Sequence, residues 1–252
     1  MVAGDYRRYC AIVEYDGTDF LGYQIQARGR TVQGELERAL EKVTQSTIRV
    51  DGAGRTDAGV HATGQVIAFN AAWRHSLEEL QRAFNATLPP DIVISHLKIV
   101  DGSFHPRFEA LSRSYRYTII NQLWPSVLLQ RYAYHVRNKL DVTAMRQASR
   151  WLVGTHDFAS FGKPPQGQNT VRQVMRAEWQ VDGPQLVFEV TANAFLYRMV
   201  RTMVGTLLQV GLQQLMPDEV KVILEAHDLT RSAPPAPAHG LCLVEVTYPQ
   251  AL

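Results

Sequence analysis

The segment that organises this sequence is Asp51-Gly52-Ala53-Gly54-Arg55-Thr56-Asp57-Ala58-Gly59-Val60-His61-Ala62-Thr63-Gly64-Gln65-Val66. It contains four glycines and joins two apolar runs, residues 48–50 and 65–70, whose composition is typical of β-strands. Glycine adopts backbone conformations that are closed to other residues and lets a ligand approach the main chain closely. The segment therefore predicts a backbone-lined turn, with Asp57 as its candidate reactive group.

The spacing of the segment tests several other interpretations. A phosphate-binding loop would end in Gly-Lys-Ser/Thr, and a dinucleotide-binding turn would be followed by a helix with further glycines; neither pattern occurs. An aspartic protease would show Asp-Thr-Gly or Asp-Ser-Gly twice, whereas this chain has a single Thr56-Asp57-Ala58-Gly59. A tight structural hairpin explains the glycines as well as a catalytic loop does, and spacing alone leaves that choice open.

Outward from this segment, the first hundred residues predict one α+β unit. Residues 8–15 and 92–100 have the apolar, β-branched composition of strands. A helical stripe of apolar residues begins after Thr31, and a second helix begins at Ser76, where Glu79 completes a capping box.

The second half of the chain repeats this order of elements. Strands are predicted at residues 115–121, 186–192 and 241–248. Helices are predicted at residues 142–153, 195–210 and 217–227. Loops are predicted at residues 162–170 and 232–239. Strands and helices mixed in this way favour an α+β fold with mostly antiparallel sheets. We expect two similar α+β domains, residues 1–104 and 105–252, that form a central cleft.

The composition predicts a globular cytoplasmic protein. Of the 252 residues, 46% are hydrophobic and 20% are charged, and no apolar run is long enough to cross a membrane. Residues 1–8 lack the apolar core of a secretion signal. The two cysteines, Cys10 and Cys242, lie in strand-like runs and are expected to be core residues rather than a disulfide. No metal site is expected, because no cluster of His and Cys has ligand spacing.

Charge is unevenly distributed along the chain. Residues 101–201 carry 13 Lys or Arg and 7 Asp or Glu, a net charge of +6, and the remainder carries −4. Arginine supplies 21 of the 26 basic residues, and its planar guanidinium suits phosphate contacts. Composition leaves open whether this is an ordinary solvated surface or a basic face for an acidic polymer.

The whole chain resembles the bacterial tRNA pseudouridine synthase A family. The main match is the segment at residues 53–66. Seven further blocks match in the family's order: Glu14-Tyr15-Asp16-Gly17, Asn85-Ala86-Thr87-Leu88-Pro89, Phe104-His105-Pro106-Arg107-Phe108, Arg113-Ser114-Tyr115-Arg116-Tyr117, Ala192-Asn193-Ala194-Phe195, Met199-Val200-Arg201 and Gly240-Leu241. One block would be weak, but blocks in order along most of the chain are specific.

The resemblance implies a reaction carried by one carboxylate. It assigns the nucleophile to Asp57, with no metal or redox cofactor. The sequence leaves open whether Asp57 attacks the ribose, attacks the base or first removes a ribose proton. Because the carboxylate must stay ionised where water is excluded, a fixed cation is expected nearby, and the resemblance points to Arg201. His61 is expected to be a turn residue rather than an acid–base group.

The resemblance also implies how the target base is held. Tyr115 corresponds to the tyrosine that stacks on the uracil, and Leu241 to the residue on the opposite side of the base. Arg55 corresponds to the arginine that fills the space left by the flipped base.

Further arginines are candidates for phosphate contact. Three lie in one segment, Arg107, Arg113 and Arg116, and two lie in the polar loop at residues 24–30, Arg28 and Arg30. Where relatives commonly have histidines before Met-Val-Arg, this chain has Leu196-Tyr197-Arg198, and the loop at residues 162–170 is of a variable kind. These departures concern RNA contacts rather than the reaction.

The implied substrate is transfer RNA, at uridines 38, 39 and 40 of the anticodon arm, and the implied assembly is a homodimer whose interface uses the long apolar helices. One rival hypothesis is a related synthase acting on another RNA, such as a non-tRNA stem-loop or a different tRNA position. The other is a tRNA-binding chaperone that has the fold without catalysis. The second would be favoured by loss of the aspartate, and Asp57 is present.

Overall fold

The computed structural model describes residues 6–164 and 167–249. The predicted loop at residues 162–170 therefore includes two positions, 165 and 166, outside the described residues. The strands are β1 (Tyr6–Tyr15), β2 (Val50–Gly52), β3 (His61–Ala72), β4 (Ile92–Val100), β5 (Ser112–Asn121), β6 (Tyr134–Val136), β7 (Gly154–Asp157), β8 (Val171–Asp182), β9 (Gln185–Ala192) and β10 (Leu241–Thr247). The α-helices are α1 (Val32–Thr44), α2 (Leu77–Thr87), α3 (Val142–Ser149), α4 (Met199–Gly211) and α5 (Glu219–Glu225). This mixture of helices and mostly antiparallel strands confirms the predicted α+β class.

The chain divides into two compact units. Unit 1 comprises Met1–Leu111 and Leu243–Leu252, and unit 2 comprises Ser112–Cys242. This division differs from the predicted boundary after residue 104, because residues 105–111 and the chain end bind one another within unit 1. The Leu111 N–H donates to the Thr247 carbonyl at 2.9 Å, and the Tyr248 hydroxyl donates to the Pro106 carbonyl at 2.7 Å.

The sheet of unit 1 is built on β1. It pairs antiparallel with β3 on one side and with β4 on the other, and β2 pairs antiparallel with β3. The β2–β3 register sets Asp51 opposite Ala68 and Gly52 opposite Ile67. This pairing fixes both ends of the glycine-rich segment, because β2 enters it and β3 leaves it.

Both predicted helices of unit 1 are confirmed with their caps. Thr31 Oγ1 accepts a hydrogen bond from the Gly34 N–H at the start of α1, and Ser76 and Glu79 form a complete capping box at the start of α2. Such a cap stabilises a helix by about 1 kcal/mol. The buried face of α2 carries Phe84, whose ring meets Phe69 of β3 edge-on at 6.0 Å between ring centroids.

The sheet of unit 2 runs β5-β9-β8-β7, each pair antiparallel, with β6 parallel to β5. The β5–β9 register sets Tyr115 opposite Val190 and Tyr117 opposite Phe188. β8 is 12 residues long but was not among the predicted strands. Most of its side chains are exposed or half-buried, so it lacks the regular apolar alternation that marks a strand.

Each α-helix of unit 2 overlaps a predicted helical region, with one clear error at the start of α4. The predicted start of α4 at residue 195 is wrong, because the helix begins at Met199 after Arg198 adopts a left-handed conformation with φ of 62°. The Tyr197 N–H donates to the Lys163 carbonyl at 2.8 Å, which holds residues before the helix in a bridge to another segment. Nearly every residue of α4 is buried.

Two expectations from composition concern cysteines and membranes. Cys10 is buried, Cys242 is half-buried, and neither forms a disulfide bond. Within residues 6–164 and 167–249, no helix has the length and apolarity needed to cross a membrane.

Candidate active site

Asp57 lies on a loop of unit 1 between β2 and β3, as predicted. Its side chain is half-buried, whereas that of Arg55 on the same loop is exposed. The loop closes on itself through the Val60 N–H, which donates to the Asp57 carbonyl at 3.1 Å. Gly59, with φ of 77°, supplies the left-handed residue that this closure requires.

A second segment of unit 1, residues 20–23, supports the loop from outside. The Tyr23 N–H donates to the Thr56 carbonyl at 3.1 Å, and the Gly59 N–H donates to the Phe20 carbonyl at 3.3 Å. Gly22 has φ of 97°, and a Cβ there would lie 2.8 Å from the Thr56 carbonyl oxygen. Only glycine allows the two segments to lie this close, so the backbone around Asp57 is fixed from both sides.

Strand β1 contributes a side-chain contact to the same loop. The Tyr15 hydroxyl lies 2.8 Å from Thr56 Oγ1, and both residues are buried. Neither Tyr15 nor Thr56 was predicted to be a site residue. The available signal was their position in two blocks that carry the family resemblance, Glu14-Tyr15-Asp16-Gly17 and residues 53–66.

The prediction that His61 is a turn residue is wrong: His61 is the first residue of β3 and is buried. Its Nδ1 accepts a hydrogen bond from the Gly17 N–H at 2.9 Å and lies 3.2 Å from Asp16 Oδ1. A ring nitrogen that accepts from Gly17 cannot also donate to Asp16, so a neutral His61 carries its proton on Nε2. The contact holds the Asp16–Gly17 turn against the start of β3.

Tyr115 lies on β5 in unit 2 and is 8% exposed. Its ring meets that of Phe195 edge-on, with centroids 5.1 Å apart and an interplanar angle of 88°. This geometry fixes the orientation of the tyrosine ring. Phe195 was quoted only as part of a family block, and the structure adds it as the direct support of Tyr115.

Arg201 lies in the first turn of α4 in unit 2 and is half-buried. Its Nε donates to the Ala236 carbonyl at 2.7 Å, and the Ala236 N–H donates back to the Arg201 carbonyl at 2.9 Å. The guanidinium is thus oriented by a reciprocal pair of bonds to the loop that leads into β10.

The same loop meets Tyr117 and continues to Leu241. The Tyr117 hydroxyl donates to the Pro237 carbonyl at 2.8 Å; burial raises the pKa of Tyr117, and the charge of Arg201 lowers it to a smaller extent. A Cβ at Gly240 would lie 2.7 Å from the Tyr117 ring, so the chain passes directly over this ring before Leu241. Leu241 is buried, and within unit 2 Tyr117 and Arg201 both bind the loop that leads into it, through the carbonyls of Pro237 and Ala236.

The two arginines of the loop at residues 24–30 have different surroundings. Arg28 is exposed, and no ion pair to it is found among the residues that the structure describes. Arg30 makes a two-pronged ion pair with Asp91 at 2.5 and 2.8 Å and another with Glu35 at 2.8 Å. The hydrogen bonds that Arg30 donates to the Asp91 carboxylate raise the pKa of Arg30. Its charge is therefore already compensated by protein carboxylates.

The other three arginines also differ. Arg107 is half-buried over the exposed ring of Phe108, with 5.7 Å from its Cζ to the ring centroid. Arg113 is 9% exposed and donates to the Asn193 carbonyl at 2.9 Å. Arg116 pairs with Glu189 at 2.9 Å and keeps half of its side chain exposed.

No group of three or more His, Cys, Asp or Glu side chains within the described ranges is arranged to hold a metal ion.

Comparison with known proteins gives the class of the fold and site. A family model described as tRNA pseudouridine synthase matches residues 11–109 and 148–249, which include Asp57, Arg201 and Leu241. The chain belongs to the tRNA pseudouridine synthase family.

Its curated relatives are more specific. Proteins named tRNA pseudouridine synthase A are 45% identical in Moorella thermoacetica, over 93% of this chain and 96% of the relative, and 44% identical in Thermotoga neapolitana, over 96% and 100%. The protein of that name in Bacillus subtilis is 43% identical, over 94% of this chain and 97% of the relative. The resemblance stated from the sequence is thereby confirmed.

Proposed function

We propose that this protein isomerises uridine to pseudouridine in the anticodon stem-loop of tRNA, at positions 38, 39 and 40, with Asp57 as nucleophile. The observation that carries the proposal is the loop of Asp57. In a chain of the tRNA pseudouridine synthase family, the backbone of this loop is held by residues 20–23 and its Thr56 side chain by Tyr15, while the carboxylate of Asp57 is half-buried. A carboxylate held in this way is positioned for attack without reorganising its surroundings.

The reaction is balanced without an oxidant or reductant. The bond from C1′ to N1 of the uridine breaks, the uracil rotates, and a bond from C1′ to C5 forms. A proton leaves C5 and N1 ends protonated, so product and substrate have the same composition. The carboxylate of Asp57 takes part in covalent catalysis by forming and releasing a bond to the nucleoside.

The uridine must leave its stack before it can react, at a cost of a few kcal/mol. Stacking on an aromatic ring returns about 1–3 kcal/mol of that cost. We assign this role to Tyr115, whose ring orientation is supported by Phe195, and assign the opposite side of the base to Leu241. Arg55, exposed beside Asp57 on its loop, is assigned to the space that the base leaves, and Arg201 to the compensation of the carboxylate charge.

The tRNA backbone is bound by basic residues, among which the arginines play unequal parts. Arg28 and Arg107 are assigned to direct phosphate contact, because Arg28 is exposed on its loop and the guanidinium of Arg107 lies over the exposed ring of Phe108. Arg30, Arg113 and Arg116 already bind Asp91, the Asn193 carbonyl and Glu189. These three arginines can contact phosphate only if they give up those partners, so we expect them to contribute less to the affinity for tRNA.

Mapping the product tests the proposed substrate. Unmodified tRNA is incubated with the protein, and pseudouridine is located by carbodiimide modification and primer extension. Stops at positions 38, 39 or 40 are expected, and their absence from an active preparation would contradict the specificity. The same mapping on total RNA from a deletion strain separates this function from that of a synthase acting on another RNA.

We further propose a homodimer, with a different surface from the one predicted. The long apolar helix α4 is buried within unit 2 and has no broad face to offer a partner. Several of the most exposed apolar side chains lie instead close together in residues 123–132, where Trp124, Val127 and Leu128 are 71%, 76% and 88% exposed. Apolar residues concentrated in one segment are typical of an interface.

Light scattering with size-exclusion chromatography tests the dimer. The unchanged protein is expected at twice its chain mass of 28.4 kDa, and Leu128→Glu at the chain mass. Val181→Glu, at a similarly apolar and exposed position of unit 2 outside the segment, should remain a dimer. A monomeric unchanged protein, or dissociation by both variants, would contradict the assignment.

We also propose a cytoplasmic location, since the substrate of a tRNA-modifying enzyme is found there. Fractionation of cells that express the protein from its own gene should place it with the cytoplasmic marker.

A further inference from the structure

The fold explains most glycines around the Asp57 loop, but it does not explain Gly54. A Cβ at Gly17 would lie 2.0 Å from the Val60 carbonyl oxygen, and one at Gly64 would lie 2.2 Å from that of Val244. Gly22 and Gly59 have positive φ. At Gly54, in contrast, a Cβ would meet no heavy atom within 4 Å, and φ lies outside the left-handed region. The protein alone would therefore accept a side chain at this position.

A buried side chain nevertheless fixes the Gly54 peptide. Gln65 of β3 is 0% exposed, and its Nε2 donates to the Gly54 carbonyl at 2.7 Å. The Oε1 of the same amide has no hydrogen-bond partner among the described residues. An amide buried with half of its hydrogen-bonding capacity unused is unfavourable for stability, so its bond to Gly54 points to a role other than stability.

We infer that the bare Cα face of Gly54 is a contact surface for the ribose–phosphate backbone of the RNA strand that carries the target uridine, and that Gln65 is the positioning residue that holds this face. The inference rests on the proposed function. Gly54 adjoins Arg55, whose exposed guanidinium supplies a charge for phosphate, and lies three residues before Asp57 on the same loop. A strand that delivers its ribose to Asp57 must pass close to this loop, and a glycine allows the closest approach of backbone to ligand.

Substitution of Gly54 tests the inference directly. Gly54→Ala and Gly54→Val should keep the melting temperature of the unchanged protein, because a Cβ at this position meets no heavy atom within 4 Å. The KM and the Kd for tRNA should rise, by about tenfold or more for valine and by less for alanine, as the side chain displaces the strand. Gly102→Val is the matched control, because Gly102 also has no heavy atom within 4 Å of its missing Cβ and lies in a turn outside the loop. It should change neither quantity.

The outcomes separate this inference from the proposed function. If the unchanged protein forms no pseudouridine in tRNA, the proposed function fails. If it is active and Gly54→Val has the same KM and Kd, the contact surface is refuted. A melting temperature lowered by Gly54→Ala but not by Gly102→Ala would assign the glycine to the fold and likewise overturn the inference.

The role of Gln65 is tested by its coupling to Gly54. Gln65→Met keeps the size of the side chain but removes the donor to the Gly54 carbonyl and the unpaired Oε1 together. We expect a higher KM for tRNA with a nearly unchanged melting temperature. Because Gln65 acts through Gly54, the double variant Gln65→Met/Gly54→Val should be little worse than Gly54→Val alone. If the increases in KM caused by the two single substitutions multiply in the double variant, Gln65 acts independently of Gly54.

Discussion

The hydroxyl of Tyr15 lies 2.8 Å from Oγ1 of Thr56, the residue that immediately precedes Asp57. One partner belongs to β1, which pairs on both sides within the sheet of unit 1, and the other belongs to the loop that presents the carboxylate. The hydrogen bond therefore restrains the loop by joining it to a strand that is paired on both sides.

Tyr15→Phe should slow the reaction more than it destabilises the protein. Loss of one buried hydrogen bond costs about 1 kcal/mol of unfolding free energy, whereas a loosened nucleophile is expected to lower kcat by about tenfold or more. Denaturant unfolding and single-turnover kinetics on tRNA measure the two effects. Tyr6→Phe, at an exposed tyrosine of the same strand, is the control. Equal kcat in the two variants would show that the bond does not position Asp57.

Tyr115→Leu should lose activity while the protein stays folded. Removal of the stacking ring is expected to raise the barrier by about 1–3 kcal/mol, a loss of about tenfold to a hundredfold. Tyr115→Phe keeps the ring and its edge contact with Phe195, so it should retain most of the activity. Far-ultraviolet circular dichroism checks the fold. An unfolded leucine variant would assign Tyr115 to the core of unit 2 rather than to the base.

Substitutions of Arg28 and Arg30 should have different effects although the two residues are close in sequence: the first should weaken tRNA binding and the second should lower the stability of the fold. Arg28→Ala is expected to lower the salt dependence of tRNA binding, by about 0.7–0.9 in the slope of log K against log salt for one lost phosphate contact. Arg30→Ala removes the two-pronged pair with Asp91 and should chiefly lower the melting temperature, by an amount corresponding to about 1 kcal/mol or less at this partly exposed site. Salt titrations of binding and thermal unfolding of both variants test this. A reversed pattern would contradict our assignment of the two arginines.

The contrast between these arginines shows what the sequence could predict. Helices α1 and α2 were predictable because their apolar stripes and caps lie within a few residues of each other, as with Ser76 and Glu79. The ion pair between Arg30 and Asp91 joins positions 61 apart, and the bond from Arg113 to Asn193 joins positions 80 apart. No local pattern records such partners, so all five arginines looked alike in the sequence.

The same reasoning applies to the boundaries of elements. Residues 195–198 are apolar enough to continue α4, but Tyr197 pairs its backbone with Lys163, and Arg198 turns left-handed. The long strand β8 escaped prediction because its exposed side chains leave no clear apolar alternation. Asp57 could be predicted from its glycine-rich surroundings and the family resemblance. The contacts by which Tyr15 and Gly22 support its loop form only in the folded chain, so they could not be predicted.

The most direct measurement of the central claim is single-turnover formation of pseudouridine by Asp57→Asn, with tRNA binding measured on the same preparation. Asparagine keeps the size and shape of the side chain but is a far weaker nucleophile than a carboxylate. We predict no detectable pseudouridine at positions 38, 39 and 40, and a Kd for tRNA within about threefold of that of the unchanged protein, since less than about 1 kcal/mol of binding should depend on this group. Pseudouridine formation at an undiminished rate by Asp57→Asn would contradict the assignment of Asp57 as the nucleophile.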